Sequence, residues 1–229
     1  MLEIQDLHVA YGESEVIEGL NLSLKKNEII AILGRNGMGK TTLMKALIGM
    51  IPSKSGSIKL ENKELFSMKS HERVKAGLGF VPQGRMIFST MTVQENIETG
   101  LTSTKETEVP EDLYNIFPVL REMRKRRGGN LSGGQQQQLA IARALASDPD
   151  VLLLDEPTEG IQPSIIKEMA HTLKEIRDSR GLSIIVSEQV LSFALDVADR
   201  IIVIEKGKII HDQPRNEVDE DKVASFLSV

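Results

Sequence analysis

A glycine-rich segment near the N-terminus of the 229-residue chain combines the residue types that bind phosphate. Gly34 is followed by four residues and then by Gly39, Lys40 and Thr41. Glycines allow consecutive backbone N–H groups to converge on a phosphate, and a helix that begins there points its positive end at the same place. Lys40 adds a full positive charge, and the Thr41 hydroxyl suits Mg²⁺, which bridges phosphate oxygens. Residues 34–41, the phosphate loop, therefore predict a nucleotide site.

Two adjacent acids, Asp155 and Glu156, end the apolar run at residues 151–154. A carboxylate at the end of a buried strand is unfavourable unless it holds something, and Mg²⁺ is its natural partner beside a nucleotide. We therefore predict that Asp155 binds the metal. Two acids that cap the loop before Pro157 are the alternative interpretation.

A third segment could also bind an anion. The signature segment comprises Leu131, Ser132, Gly133, Gly134 and Gln135. A serine before two glycines and a helical pattern predicts a helix N-cap with free N–H groups, which attract negative charge. An ordinary Ser-Gly-Gly helix cap without a ligand is the alternative.

Alternating strand and helix patterns must position these three segments. The apolar run at residues 29–33 predicts a strand that leads into the phosphate loop, and the spacing after Lys40 predicts a helix that ends near Gly49. Further patterns predict short strands within residues 2–32, strands at 151–154, 184–186 and 201–204, and helices at 136–146 and 164–177. Strands that alternate with helices predict a parallel sheet covered on both faces.

The middle and the end of the chain lack the alternating strand and helix patterns of the other segments. Residues 84–130 are mostly polar, with helical patches at 93–101 and 113–123, and they predict an inserted helical subdomain. We expect the residues after Ile210 to form no more than a solvated end helix. A group of basic side chains should lie on a solvated helix end: Arg121, Arg124, Lys125, Arg126 and Arg127.

Composition excludes several classes of function. The chain has 28 basic and 33 acidic side chains, which gives no electrostatic reason to expect nucleic acid as a partner. It has no cysteine and only four scattered histidines, so any metal should arrive with the nucleotide. No apolar run suits a signal peptide or a membrane span. We expect a cytoplasmic protein that reaches a membrane only through a partner.

The order of the three segments resembles the ATP-binding-cassette (ABC) ATPase family, from about residue 2 to residue 208. The resemblance implies an α/β fold of the P-loop NTPase class and ABC ATPase type, with a parallel-sheet core, a small antiparallel β subdomain and an inserted helical subdomain. It implies one domain over residues 1–229, with the core at 1–83 and 138–229 and the insertion, including the signature segment, at 84–137.

The resemblance also assigns roles to single residues. Glu156 would polarise the attacking water, with Lys40 and Gln189 as further catalytic groups, while Thr41, Gln83 and Asp155 would hold Mg²⁺. The implied ATP-binding residues are Tyr11, Gly34, Arg35, Asn36, Gly37, Met38, Gly39, Lys40, Thr41, Thr42 and Gln83. The signature segment would bind the γ-phosphate held by a second, facing subunit. On the residues alone, Tyr11 could equally be a core tyrosine, and Gln83 an ordinary polar residue at a strand end.

Two positions depart from the common family pattern. Gln189 stands where many members have a histidine, and Gln162 stands where many have an aspartate. A glutamine amide donates a neutral hydrogen bond, but it cannot become cationic as an imidazole can. We therefore expect weaker sensing of the γ-phosphate at this site.

Both departures look like those in the ATPases of branched-chain amino acid importers and their relatives, and the motifs look most like those of the ATPase subunits of urea importers. This likeness implies a peripheral subunit at the cytoplasmic face of the inner membrane that drives urea uptake. Its partners would be a second, non-identical ATPase subunit, two integral-membrane permease subunits and, indirectly, a solute-binding protein, although a homodimer is possible in isolation. The alternatives are a branched-chain amino acid importer ATPase, a soluble ABC ATPase without transport, and a regulatory module without turnover.

Overall fold

The computed structural model describes residues 1–228, which form two β-sheets and surrounding helices. The strands are β1 (Leu2–Tyr11), β2 (Ser14–Leu24), β3 (Ile29–Leu33), β4 (Ser55–Leu60), β5 (Lys63–Glu64), β6 (Leu78–Val81), β7 (Val151–Asp155), β8 (Ser183–Glu188), β9 (Arg200–Glu205) and β10 (Lys208–Pro214). One sheet is antiparallel, in the order β2-β1-β4-β5. The other has the order β10-β9-β3-β8-β7-β6 and is parallel except for the edge strand β10.

The helices connect and cover these strands. They are α1 (Lys40–Leu47), α2 (Ser70–Lys75), α3 (Val93–Glu98), α4 (Glu111–Ile116), α5 (Pro118–Glu122), α6 (Gly133–Leu145), α7 (Pro163–Arg180), α8 (Leu191–Val197) and α9 (Glu220–Leu227). Short 3-10 turns lie at Thr99–Ser103, Gly128–Asn130 and Arg215–Glu217. In the part of the chain described, no helix combines the length and the apolar character needed to cross a membrane.

The central strand β3 shows why the larger sheet is apolar on both faces. Ile29, Ala31 and Leu33 pack into a core that includes α6, α7 and the helices of the middle of the chain. Ile30 and Ile32 pack into a second core with α1 and the antiparallel sheet. All five side chains are fully buried, and each isoleucine or leucine contributes roughly 1.5–3 kcal/mol of hydrophobic stabilisation. The predicted fold class is confirmed.

Two local predictions were wrong. The helical patch expected at 113–123 is two helices, because Phe117 precedes Pro118 and leaves the helical region with φ −122° and ψ 73°. The end of the chain is not simply solvated: β10 extends the sheet to Pro214, and α9 buries Val223 completely in the core. The polar composition after Ile210 hides the few buried side chains, His211 and Val223.

Candidate active site

The phosphate loop connects the carboxyl end of β3 to the first turn of α1. Strand, loop and helix therefore follow one another as the sequence predicts, and backbone N–H groups at the start of α1 face the loop. The loop borders an open cavity of about 280 Å³. The lining residues of this cavity are Val16, Asn36, Gly37, Gly39, Lys40, Thr41, Thr42, Gln83 and Glu156.

Two glycines in the phosphate loop are required by the backbone. Gly39 has φ +105°, and a Cβ atom there would lie 2.9 Å from Cδ1 of Ile17 in β2. A Cβ on Gly34 would lie 2.6 Å from the carbonyl oxygen of Ile204 in β9. Side chains at these positions would displace the loop from the strands that hold it.

The side chain of Lys40 is buried and curls over the loop. Its Nζ donates to the carbonyl oxygens of Gly34 at 2.7 Å and Arg35 at 3.2 Å. The same Nζ lies 3.3 Å from Oε1 of Glu156. A positive charge is thus fixed at the mouth of the cavity, where a phosphate would neutralise it.

Asp155 ends β7 with one oxygen satisfied and one free. Its Oδ1 accepts hydrogen bonds from the hydroxyls of Thr41 at 3.1 Å and Ser187 at 2.6 Å. Its Oδ2 is buried and has no hydrogen-bond partner among the described residues. Burial raises the pKa of the Asp155 carboxyl above its usual value, although both hydroxyls oppose that rise. A buried carboxylate oxygen without a donor fits a cation ligand.

Three side chains converge on the carboxylate of Glu156. Gln189 Nε2 donates to Oε1 at 2.9 Å, Gln83 Nε2 donates to Oε2 at 3.3 Å, and Lys40 forms the ion pair described above. The backbone of Glu156 has φ +48°, which is uncommon for a residue with a side chain. Its N–H donates to the carbonyl oxygen of Ser187 at 3.0 Å. The neighbouring strand β8 thus holds Glu156 in a strained conformation.

Two buried residues of β8 were missed from the sequence. Ser187 is paired in register with Asp155, and its hydroxyl fixes that carboxylate. Glu188 is 2% exposed, and its carboxylate accepts hydrogen bonds from the backbone N–H groups of Thr158 at 3.0 Å and Gln189 at 3.1 Å. Burial raises the pKa of the Glu188 carboxyl. Glu188 therefore joins the segment after Glu156 to the segment that carries Gln189.

Tyr11 lies at the end of β1 and is 51% exposed, so the alternative of a core tyrosine was wrong. It is not among the residues that line the phosphate-loop cavity, whereas Val16 of the neighbouring strand is. Stacking of adenine on Tyr11 stays a prediction.

The signature segment begins α6 as predicted. Ser132 is the N-cap: its hydroxyl accepts from the N–H of Gln135 at 3.4 Å, and the Gln135 side chain accepts from the N–H of Ser132 at 3.0 Å. Ser132 is exposed, and no residue of the segment lines the cavity at the phosphate loop. Within the described chain the signature segment and the phosphate-loop cavity are therefore separate.

Comparison with known proteins is consistent with this geometry. A family model described as ABC transporter matches residues 17–159. The high-affinity branched-chain amino acid transport ATP-binding protein BraG of Pseudomonas aeruginosa is 38% identical over 93% of the chain and 92% of its own length. The probable branched-chain amino acid transport ATP-binding protein LivF of Archaeoglobus fulgidus is 34% identical over 95% and 94%.

Among solved structures, a nucleotide-free ATP-binding cassette from an ABC transporter superposes with a TM-score of 0.85 at 26% identity, over 100% of the chain and 95% of its own. The chain belongs to the ABC transporter family. Within that family it is an ATP-binding, ATP-hydrolysing subunit.

Proposed function

We propose that this chain is the energy-coupling ATPase of an importer, and that Glu156 is the general base for hydrolysis. The observation that carries the proposal is the convergence of Lys40, Gln83 and Gln189 on the Glu156 carboxylate at the mouth of the phosphate-loop cavity. A general base must lie within hydrogen-bond reach of the water whose proton it accepts.

In the proposed reaction a water oxygen attacks the γ-phosphorus of ATP while the bond to the β,γ-bridging oxygen breaks. The water proton passes to Glu156, and ADP leaves with the bridging oxygen. When phosphate binds, the Lys40 ammonium is drawn from the Gly34 and Arg35 carbonyl oxygens toward the β- and γ-oxygens. Gln189 and Gln83 keep the Glu156 carboxylate oriented through their amide donors.

We propose that Mg²⁺ is held by Thr41, Asp155 and Gln83, together with phosphate oxygens. The buried, unpartnered Oδ2 of Asp155 supports this assignment. The described residues contain no cluster of three His, Cys, Asp or Glu side chains, so phosphate oxygens must supply much of the coordination. When bound, the metal neutralises phosphate charge.

We propose that the ATP-binding site is completed by a facing subunit, whose signature segment contacts the γ-phosphate. The exposure of Ser132 and its separation from the phosphate-loop cavity support this arrangement. Gln189 and Gln162, which depart from the common family pattern, favour a non-identical ATPase partner.

A membrane partner is supported by an apolar surface just beyond Gln83. Met86, Phe88 and Met91 are 66%, 47% and 38% exposed. We propose that they receive an amphipathic helix from one of two permease subunits, which places the chain at the cytoplasmic face of the membrane, with a solute-binding protein as an indirect partner. Residues 84–137 would form the helical insertion. Its proposed end at residue 137 lies inside α6, so this helix connects the insertion to the core.

Two solutes are candidates. The names of BraG and LivF support branched-chain amino acids. The motifs at residues 34–40, 131–140 and 155–166 look most like those of urea importer ATPases, which supports urea. Side chains of this chain would not contact either solute.

The catalytic assignment is tested by steady-state hydrolysis of Mg-ATP by the purified chain. Glu156→Gln should abolish phosphate release, because the base is lost, whereas Gln189→Ala should lower it modestly, because Lys40 and Gln83 still hold the carboxylate. Gln5→Ala on the exposed face of β1 serves as the control. Equal losses from Glu156→Gln and Gln189→Ala would overturn this ranking.

The transport assignment is tested in cells whose only copy of the chain carries Glu156→Gln. Loss of labelled urea uptake would assign urea, and loss of labelled leucine uptake would assign branched-chain amino acids. Unchanged uptake of both would reject both solutes and favour a soluble ATPase.

A further inference from the structure

The turn that follows Gln83 has an unusual backbone and a dedicated support. Gly84, Arg85 and Met86 have φ of +76°, +66° and +45°, so two side-chain-bearing residues lie in the left-handed region. Arg143 of α6 donates from Nη1 to the carbonyl oxygen of Met86 at 2.9 Å and from Nη2 to that of Arg85 at 3.2 Å. Its guanidinium carbon also lies 5.4 Å from the ring centre of Phe88. Arg143 therefore fixes the direction in which Arg85 leaves the turn.

The Arg85 side chain reaches the loop that follows Glu156. Its Nη2 donates to the carbonyl oxygen of Glu159 at 2.8 Å and also contacts that of Gly160 at 3.4 Å. The loop is also held by two short-range turns, from Glu159 N–H to the carbonyl oxygen of Glu156 and from Ile161 N–H to that of Thr158, and by the bond from Thr158 N–H to the Glu188 carboxylate. A hydrogen bond from a guanidinium is stronger than the two neutral turn bonds.

The same guanidinium lies against the first residue of α6. A Cβ atom on Gly133 would be 3.5 Å from both Nη1 and Nη2 of Arg85, and 3.4 Å from the carbonyl oxygen of Gly160. These are ordinary van der Waals distances, so the guanidinium lies beside the start of α6 without bonding to it. Arg85 thus joins the turn after Gln83 to the loop after Glu156, next to the signature segment.

We propose that Arg85 is a positioning residue for ATP hydrolysis, which holds the loop after Glu156 in register with the start of α6. The inference rests on the proposed roles of Glu156 and of the signature segment. Arg85 does not line the phosphate-loop cavity, so it should affect alignment for the reaction and not the binding of ATP by that cavity. Small displacements of aligned groups lower turnover steeply.

The test compares Arg85→Ala and Arg85→Lys with Arg124→Ala in steady-state hydrolysis. Arg124 is an exposed arginine whose side chain has no hydrogen bond or ion pair within residues 1–228. Arg85→Ala should lower kcat about tenfold while KM changes less than about twofold. Arg85→Lys should recover part of kcat, because an ammonium can donate to one of the two carbonyl oxygens. Unchanged kcat in Arg85→Ala, or a loss confined to KM, would overturn the proposal.

Hydrogen exchange gives a second measurement that does not depend on turnover by the isolated chain. In Arg85→Ala the amides of Glu159 and Ile161 should exchange faster than in the wild type, while the amides of β3 exchange at the wild-type rate. In the control variant Arg124→Ala, the amides of Glu159 and Ile161 should also exchange at the wild-type rate. Equal exchange at Glu159 and Ile161 would reject the proposal. Glu156→Gln in the same hydrolysis assay distinguishes the proposed base from the proposed role of Arg85. Full activity of Glu156→Gln rejects Glu156 as the base. An inactive Glu156→Gln together with a fully active Arg85→Ala rejects only the role of Arg85.

Discussion

Asp155 carries a charge in a place that disfavours it when no cation is bound. Its pKa is raised by burial, so the folded state binds its proton more tightly than the unfolded chain does. Ionisation therefore opposes folding. The penalty is absent below the ordinary pKa of the group, grows as pH rises through the folded-state value, and is full above it.

This linkage predicts the behaviour of Asp155→Asn in buffer without Mg²⁺ or nucleotide. The free energy of unfolding of the variant, relative to the wild type, should rise as the pH increases above the ordinary carboxyl pKa of 3.8, because only the wild type loses stability by ionising residue 155. Denaturant titrations at a series of pH values measure the difference. Asp196→Asn, at an exposed position in α8, is the control, and a pH-independent difference for Asp155→Asn would contradict the prediction.

Some residues of the candidate site could be predicted from the sequence, and others could not. Lys40, Asp155 and Glu156 stand in segments whose spacing predicts phosphate chemistry, and the structure brings Lys40 and Glu156 into contact. Ser187 and Glu188 belong to no such motif, because a serine and a glutamate are common near the end of a strand. Only the register of β7 against β8 shows that Ser187 lies beside Asp155.

The helix α1 depends at its far end on one buried arginine. Arg73 of α2 is 3% exposed, and its guanidinium donates to the carbonyl oxygens of Ala46 at 2.7 Å and Leu47 at 2.8 Å. It also donates to those of Met68 at 3.0 Å and Phe66 at 2.9 Å. Arg73, which is distant in sequence, thereby caps the carboxyl end of α1. The opposite end of the same helix carries Lys40 and Thr41.

We predict that Arg73→Ala lowers the free energy of unfolding by about 3 kcal/mol, because buried carbonyl oxygens lose a charged donor. Arg73→Lys should lose less, since an ammonium reaches only some of the four oxygens. Denaturant unfolding measures both. Lys75→Ala, at an exposed position of the same helix, should change stability by less than about 0.5 kcal/mol; a similar value for Arg73→Ala would refute the capping role.

At the scale of elements, apolar runs such as residues 29–33 and 151–154 predicted their strands well, because burial on both faces leaves a continuous signal. The strand β10 and the docking of α9 could not be predicted. Their polar residues face solvent, and each element is positioned by few buried side chains, such as Val223. The break at Phe117 was readable from Pro118, but helical periodicity on both sides concealed it.

The proposed pairing of two subunits makes a prediction for the whole molecule. In the Glu156→Gln background, excess ATP should shift the chain from monomer to dimer mass in light scattering. Ser132→Asp should abolish this shift, because an aspartate still caps α6 but repels the phosphate of the facing site. Ser132→Asn, a neutral cap, should retain it.

Equal dimerisation of Ser132→Asp and Ser132→Asn would contradict contact between the signature segment and phosphate. A monomer at every ATP concentration in the Glu156→Gln background would instead contradict self-association and favour a non-identical partner.

The position of β3 in the larger sheet also has a consequence for biosynthesis. Its neighbours on either side are β8, at Ser183–Glu188, and β9, at Arg200–Glu205. When the ribosome has made the phosphate loop, neither neighbour exists, so β3 has no strand partner in its sheet. Closing such distant contacts is slow. The acids Asp155 and Glu156 and both strand neighbours of β3 are added only after most of the chain has been translated, and until then both edges of β3 are open to other segments.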